Sequence, residues 1–149
     1  MAIFMENTQV PDHQTVGEIQ NYLAKSGARS VQVEYGERGA VNGVSFVLLV
    51  GEQRIPFKLP CRWEAVLKLM EKHGVRIPKR DMPELMARRI AWRQVKRWVE
   101  AQLAMVQTNM VKMEEVFLPY AMMSADGRTR TMFEHVTESK LLGHQKESK

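Results

Sequence analysis

The chain lacks several features that commonly fix a compartment or a function. Its 149 residues include one cysteine, Cys61, so an internal disulfide is excluded and a cytosolic protein is expected. No apolar run approaches the roughly 20 residues that a membrane-spanning helix needs. The opening segment, 1–13, has no basic stretch followed by an apolar one, so the sequence predicts no signal peptide. These absences favour a soluble protein that does not partner a membrane.

Recognisable catalytic and metal-binding motifs are also absent. Cys61 opens a predicted helix, whose dipole lowers a thiol pKa, but no companion base is evident and a buried structural cysteine is the favoured interpretation. The sequence has no phosphate-binding loop, dinucleotide-binding glycine pattern or nucleophile elbow. The histidines share no metal-ligand spacing with one another or with the cysteine; they are His13, His73, His135 and His144. We therefore predict a non-enzymatic protein with no metal and no cofactor.

What the sequence does contain is the composition of one globular domain. Hydrophobic residues make up 44% and charged residues 26%, which is too apolar for a disordered chain. A chain of this length can bury a single core. We predict one α+β domain over residues 1–138, with a helix-sheet-helix core at 15–73, a long helical part at 82–118 and a flexible tail at 139–149.

The first half of the chain predicts a helix followed by a three-stranded antiparallel sheet. Thr15 and Glu18 have the spacing of a capping box, so we expect the helix to begin there. Gly51 and Glu52 suit a two-residue hairpin turn between the second and third strands. Pro56 has no N–H to donate, so the third strand is expected to lie at a sheet edge or to carry a bulge. Alternation of apolar and polar residues predicts strands at 30–35, 44–50 and 53–59.

The second half is predicted to be mainly helical. Its predicted elements are a helix at 61–73, a basic connector at 75–80, a long helix at 82–108 with an extension at 110–118 after Asn109, and a short element at 131–136. Apolar residues cover well over half the circumference of the long helix, and Trp92 and Trp98 lie within this arc, so both are predicted to be structural. A helix so apolar needs more than one neighbour. It is expected to lie between the sheet and the 110–118 helix, or between the sheet and another subunit, and we predict a homo-oligomer.

The positive charge is concentrated in one part of the chain. Residues 1–60 hold five Lys or Arg against six Asp or Glu, and residues 101–149 hold six against six. Residues 61–100 hold eleven against five, so this segment carries the whole excess of the formal net charge of +5. Such a concentration favours a surface that faces a polyanion, although a solvated helix face is an equally good interpretation.

Candidate nucleic-acid-binding residues lie in this basic segment. The long helix at 82–108, the third predicted helix (α3), is expected to expose only a narrow strip, which consists of Arg89, Arg93, Lys96, Arg97 and Glu100. Its four basic residues are called here the α3 strip, and Glu100 partly offsets their charge. Its three arginines stand at i,i+4 spacing, where like charges repel by about a few tenths of a kcal/mol per pair. A polyanion would relieve this repulsion, so replacing the three arginines with glutamine is expected to keep the fold and weaken binding. The connector adds further candidates, which are Arg76, Lys79 and Arg80.

Aromatic residues that could stack on bases are few. Trp63, like the other two tryptophans, is predicted to belong to the core. The strand aromatics are open to two interpretations, core or stacking platform, because one face of a sheet can stack bases. They are Tyr35, Phe46 and Phe57.

Two resemblances bear on function. The helix–strand–strand–strand–helix order over 15–73 resembles the double-stranded-RNA-binding domain, and the strand–strand–strand–helix part looks like that of single-strand annealing proteins. The basic start of the last helix of the RNA-binding family is replaced here by the run 61–65, so no binding residue is carried over. The segments 57–60, 91–103, 115–120 and 126–129 resemble a family of small hypothetical proteins of bacteriophages and phage-like elements.

The phage resemblance implies a mobile-element origin in the cytoplasm of a bacterial host, and it supplies no binding residue. We expect a nucleic-acid-binding accessory protein that contacts the phosphate backbone of DNA or RNA without sequence specificity. The alternative is a protein-binding module, an inhibitor or adaptor of a host complex, in which exposed apolar helix surface and the eleven methionines contact the partner.

Overall fold

The computed structural model describes residues 2–77 and 82–139. The described chain is an α+β fold with two small sheets, as the sequence predicts. In chain order its helices and strands are α1 (Asp12–Lys25), β1 (Ser30–Tyr35), β2 (Val41–Val50), β3 (Gln53–Lys58), α2 (Trp63–His73), α3 (Pro83–Gln107), α4 (Met113–Val116), β4 (Met122–Ala125), β5 (Arg128–Thr131) and α5 (Met132–Glu138). Short 3-10 turns occupy Glu37–Gly39 and Leu118–Tyr120.

The larger sheet is antiparallel with β2 in the centre and β1 and β3 on either side. Gly51 has a φ of 63° and, with Glu52, forms the predicted turn between β2 and β3. Pro56 of β3 lies opposite Val47 of β2. Because the strand order is β1-β2-β3, the strand that contains Pro56 is an outer one, as predicted. β2 extends three residues further towards the N-terminus than predicted, and an irregularity in pairing near Asn42 accommodates its start.

The main core fills the space between one face of this sheet and helices α1 and α3. Inward-facing residues of β2 alternate along the strand, and Phe46 stacks on Phe57 with 5.3 Å between ring centroids. Trp92 from α3 is fully buried in the same cluster, and Phe117 packs edge-on against Phe46. The predicted structural role of Trp92 is therefore confirmed. Trp98 is partly buried beside Phe117 and Tyr120, again as a packing residue.

A second, smaller core joins α2 to the first half of α3. Met70 of α2 packs with Ala87 and Ile90 of α3 and with Ile3 from the N-terminal segment. The element order from α1 to α2 confirms the predicted helix-sheet-helix arrangement, but α2 packs against α3 rather than against the sheet. The wide apolar arc of α3 is thus covered by two intramolecular cores. Leu85 and Met105 of the arc stay exposed, so two intramolecular neighbours cover most of it without a second subunit, and the expected homo-oligomer stays a prediction.

Two predicted helix boundaries are wrong. α1 begins at Asp12, and Thr15 lies fully buried inside it, where its hydroxyl accepts a hydrogen bond from Arg93 instead of capping the helix. The extension at 110–118 is one helical turn, α4, followed by a 3-10 turn, because Asn109 adopts a left-handed φ of 61° and breaks the helical path.

The hairpin β4–β5 was not predicted as a sheet. Asp126 and Gly127, with φ of 54° and 72°, form its tight turn. Thr131 caps α5 in a capping box with Glu134, which confirms the predicted last element. Of the predicted tail at 139–149, only Ser139 lies within the described residues, as the turn after α5.

Candidate nucleic-acid interface

The outer side of α2 carries most of the exposed basic groups in the 61–100 segment. The helix forms because its apolar residues recur at helical spacing and pack on α3, and it ends at Gly74, which adopts the left-handed conformation. This packing leaves the opposite side in solvent. Lys68 and Lys72 are exposed there, and Arg76 is exposed just beyond the helix. Arg62 is exposed at the other end, as the residue before the helix, where it lies near Glu134 of α5.

We call these four residues, Arg62, Lys68, Lys72 and Arg76, the α2 surface. Among the described residues, none of the four is in an ion pair. Glu64 and Glu71 are exposed on one flank of the same helix, so the surface is bordered by acid on that side. The two other predicted connector residues, Lys79 and Arg80, lie outside the described residues.

The predicted α3 strip is not a solvent-facing strip. Lys96 is buried, with 6% of its surface exposed, and its Nζ lies 3.2 Å from carboxylate oxygens of both Glu18 and Glu100. The same ammonium lies 5.9 Å from the ring centre of Tyr22. Helix α1 packs along this side of α3, so the side that the sequence assigns to solvent is largely an internal helix–helix contact.

Arg93 belongs to the same network. Its guanidinium donates to Glu18 at 2.7 Å and to the Thr15 hydroxyl at 3.2 Å, and its side chain is only 12% exposed. The hydrogen bond from Arg93, helped by Lys96, lowers the pKa of Glu18 below its usual value against the opposing effect of burial. Two of the four strip residues are therefore engaged by one α1 carboxylate, which also relieves the expected repulsion between them and their neighbours.

The remaining strip residues differ in exposure. Arg97 is 49% exposed and donates to Glu100 at 3.5 Å, the longest of the ion pairs in this group. Arg89 is partly buried. Only Arg97 thus keeps the exposure that the sequence predicts for the whole strip.

Arg88 is a structural residue. Its guanidinium donates to the Val41 carbonyl at 2.8 Å and to Asn42 at 3.1 Å, and it pairs with Glu84 one turn earlier at 3.2 Å. It also lies 4.2 Å above the centre of the Trp63 ring. These contacts join α3 to the start of β2, so Arg88 combines a local ion pair with a longer-range contact.

The sheet offers no aromatic platform for bases. Phe46 and Phe57 are both buried in the core and stack on each other. Tyr35 is 65% exposed at the end of β1, alone among the three strand aromatics. Of the two interpretations left open by the sequence, the core interpretation holds for both phenylalanines.

Cys61 is not an activated thiol. Burial, with a smaller contribution from Glu64, raises its pKa to about 12, so it stays protonated at neutral pH. It precedes α2 by two residues and does not open the helix. Within the residues that the structure describes, no cluster of His, Cys, Asp and Glu could hold a metal ion.

An apolar groove was missed by sequence reasoning. It has a volume of about 550 Å³ and lies between β3, α4, the hairpin β4–β5 and the start of α5. Its floor and walls include Ile55, Leu118, Met122, Met123 and Met132, with Arg54, Glu114 and Glu115 also contributing. The scattered methionines of residues 118–132 were the only sequence signal, and they become neighbours because the hairpin folds back on β3.

Comparisons of the chain with protein-family models, curated proteins and solved structures found no match. The similarity to small phage proteins therefore stays a prediction, and the interface is argued from this chain's own geometry. No helix within 2–77 and 82–139 combines the length and apolar character needed to cross a membrane.

Proposed function

We propose that this protein binds nucleic acid through the phosphate backbone, with the α2 surface as the contact. The observation that carries the proposal is the exposure of Arg62, Lys68, Lys72 and Arg76 along α2, from the residue before its start to the second residue after Gly74, in the segment that holds the excess positive charge. Among the basic residues of α3, only Arg97 is exposed enough to add to this positively charged surface. Lys96 and Arg93 contribute to the electrostatic potential of the protein, but their side chains are held by ion pairs with Glu18 of α1.

The physical basis is counterion release. Lysine and arginine side chains that neutralise phosphates release condensed cations, so binding weakens steeply as salt rises. Lys68 and Lys72 stand one turn apart, about 6 Å along the helix axis, which suits a path along one strand of backbone phosphates. Because no exposed row of aromatic or amide side chains accompanies them, the proposed binding reads charge and not sequence.

The first test is a triple substitution, Lys68→Gln, Lys72→Gln and Arg76→Gln. All three residues are exposed, so the fold is expected to stay intact. The slope of log binding constant against log salt on duplex DNA is expected to fall by about three units, at roughly 0.9 per phosphate contact. Fluorescence anisotropy with labelled random duplexes and single strands, across a salt series, measures this slope.

A charge-matched triple, Lys25→Gln, Arg38→Gln and Lys112→Gln, is the control. These residues are exposed on α1, on the turn after β1 and before α4. If both triples lower the slope equally, only net charge matters and the α2 surface is not the contact. Absence of binding by the parent protein at low salt would contradict the proposed function itself.

A second candidate function, peptide binding, is favoured by the apolar groove. The occupant we propose is a segment of a partner protein with large apolar side chains and at least one lysine or arginine. Leu118, exposed beside methionines that adapt to varied shapes, provides the apolar surface. Glu114 and Glu115 on one wall would pair with the basic residue of the partner.

Selection from a random peptide library tests this candidate. Enriched peptides are expected to combine large apolar residues with a lysine or arginine, and Met132→Lys is expected to abolish their binding. Phe133→Lys is the control, because Phe133 is adjacent in sequence, exposed and outside the groove lining. A lack of enrichment, or peptides that bind both variants equally, would contradict this second function.

A further inference from the structure

β1 forms an outer edge of the main sheet. Its only strand partner is β2, and among the described elements only α1 makes a further substantial contact with it. Sheet edges are usually protected by proline, lysine, a bulge or a covering element, because their unpaired backbone groups invite another strand. The six residues of β1, SVQVEY, contain neither proline nor lysine, and the irregularity in its pairing with β2 is confined to its last two residues, Glu34 and Tyr35.

The pairing with β2 fixes which backbone groups point outward. The carbonyl of Val47 on β2 accepts a hydrogen bond from the Arg29 N–H at 2.8 Å, so Val47 directs its backbone groups towards β1. In an antiparallel ladder these directions alternate, so Gln32 and Glu34 face β2. The N–H and C=O groups of Val31, Val33 and Tyr35 therefore point away from the sheet, at the open edge.

We propose that this edge pairs with β1 of a second copy, in antiparallel register about a twofold axis through Val33, to give a continuous six-stranded sheet. A twofold interface uses the same surface on both subunits, so the edge must be complementary to itself. In this register Val33 lies opposite Val33 of the partner subunit. The exposed Tyr35 ring lies opposite the partner's Val31, and Glu34 lies opposite the partner's Gln32.

Charge complementarity selects this register. It brings Arg29, exposed just before β1, to the same end of the interface as Glu37 of the partner subunit, which is exposed two residues after that strand at the start of the 3-10 turn. The twofold axis forms this pair twice. An axis through Glu34 would place two carboxylates directly opposite each other, which is destabilising. An axis through Gln32 would place Arg29 opposite the partner's Tyr35 and leave the pair unmade.

The inference is independent of the proposed nucleic-acid binding, although a dimer would carry two α2 surfaces. Sedimentation equilibrium of the full chain at micromolar concentrations is expected to show a reversible dimer. Arg29→Glu or Glu37→Arg alone sets like charges against each other twice and is expected to weaken the dimer about tenfold. The double variant, Arg29→Glu with Glu37→Arg, is expected to regain the parent's affinity within about threefold.

Amide hydrogen exchange by NMR provides a second readout that does not depend on the charges. With rising protein concentration, protection is expected to increase at Val31 and Val33, while Gln32 and Glu34 are protected throughout. Leu49→Lys, at an exposed position on β2, is the control for the charge change and is expected to leave the dimer unaltered. A parent protein that stays monomeric, a double variant no better than the singles, or a dimer without added protection at Val31 and Val33 would overturn the proposal.

Discussion

Replacing Trp92 with alanine is expected to lower the free energy of unfolding by about 3–5 kcal/mol, the usual cost of truncating a fully buried tryptophan. Trp92 has no exposed surface and lies in the main core with residues from α1, all three strands of the large sheet, and α4. The cavity would be left between the sheet and α3, where several elements meet and cannot all move inward. Urea denaturation followed by circular dichroism measures the loss.

Two variants make this result specific. Trp92→Phe keeps most of the buried ring and removes an indole N–H that has no acceptor among the described residues, so it is expected to lose less than half as much stability. Phe133→Ala removes an exposed ring of similar size and is expected to change stability little. A Trp92→Ala protein as stable as Phe133→Ala would show that Trp92 does not hold the core together.

The larger elements could be predicted because each depends on local physics. Alternating residues set the strands, Gly51 sets the hairpin turn and Pro56 indicates an outer strand, and all three signals act within a few residues. The hairpin β4–β5 was missed because its four-residue strands, MMSA and RTRT, do not alternate between apolar and polar residues. Its strands pair with each other, and Ala121 forms a bridge to Phe57, a contact between residues far apart in sequence.

The candidate site was predicted less well than the fold, for one physical reason. Helical spacing places Arg93 and Lys96 on the polar side of α3, but it does not tell whether water or another polar helix face lies opposite. Here Thr15, Glu18 and Tyr22 form a matching polar row on α1, at i, i+3 and i+7. That row was readable in the sequence, and pairing it with α3 would have predicted an ion-pair network in place of a phosphate-binding strip.

This network changes the result expected for substitutions in the α3 strip. The sequence suggests that glutamine at Arg93 relieves repulsion between like charges. In the structure, this substitution instead removes the main partner of Glu18. The stronger test is Glu18→Gln, which removes the carboxylate shared by Arg93 and Lys96. Because Lys96 keeps Glu100 and Arg93 keeps Thr15, the expected loss is about 2 kcal/mol, below the 3–5 kcal/mol typical of an abandoned buried charge.

Lys96→Met is the matched variant. It replaces a buried ammonium by an apolar side chain of similar length and leaves Glu18 paired with Arg93, so its stability is expected to stay within about 1 kcal/mol of the parent. Urea denaturation at neutral pH compares the two. Equal losses in Glu18→Gln and Lys96→Met would mean that packing, and not the shared carboxylate, stabilises the α1–α3 contact.

The pH dependence of stability separates this network from the rest of the protein. The pKa of Glu18 in the folded protein is lowered from its usual 4.5, so its stabilising contribution is fully present above that value and is lost as pH falls through the folded pKa. Glu18→Gln is therefore expected to show a shallower loss of stability on acidification than the parent. Glu134, whose pKa is lowered by the Thr131 N–H and hydroxyl at the start of α5, provides the control. Glu134→Gln is expected to keep the part of the stability loss at low pH that is due to protonation of Glu18. If the parent and Glu18→Gln lose stability identically as pH falls, the Glu18 carboxylate has no role in holding α1 to α3.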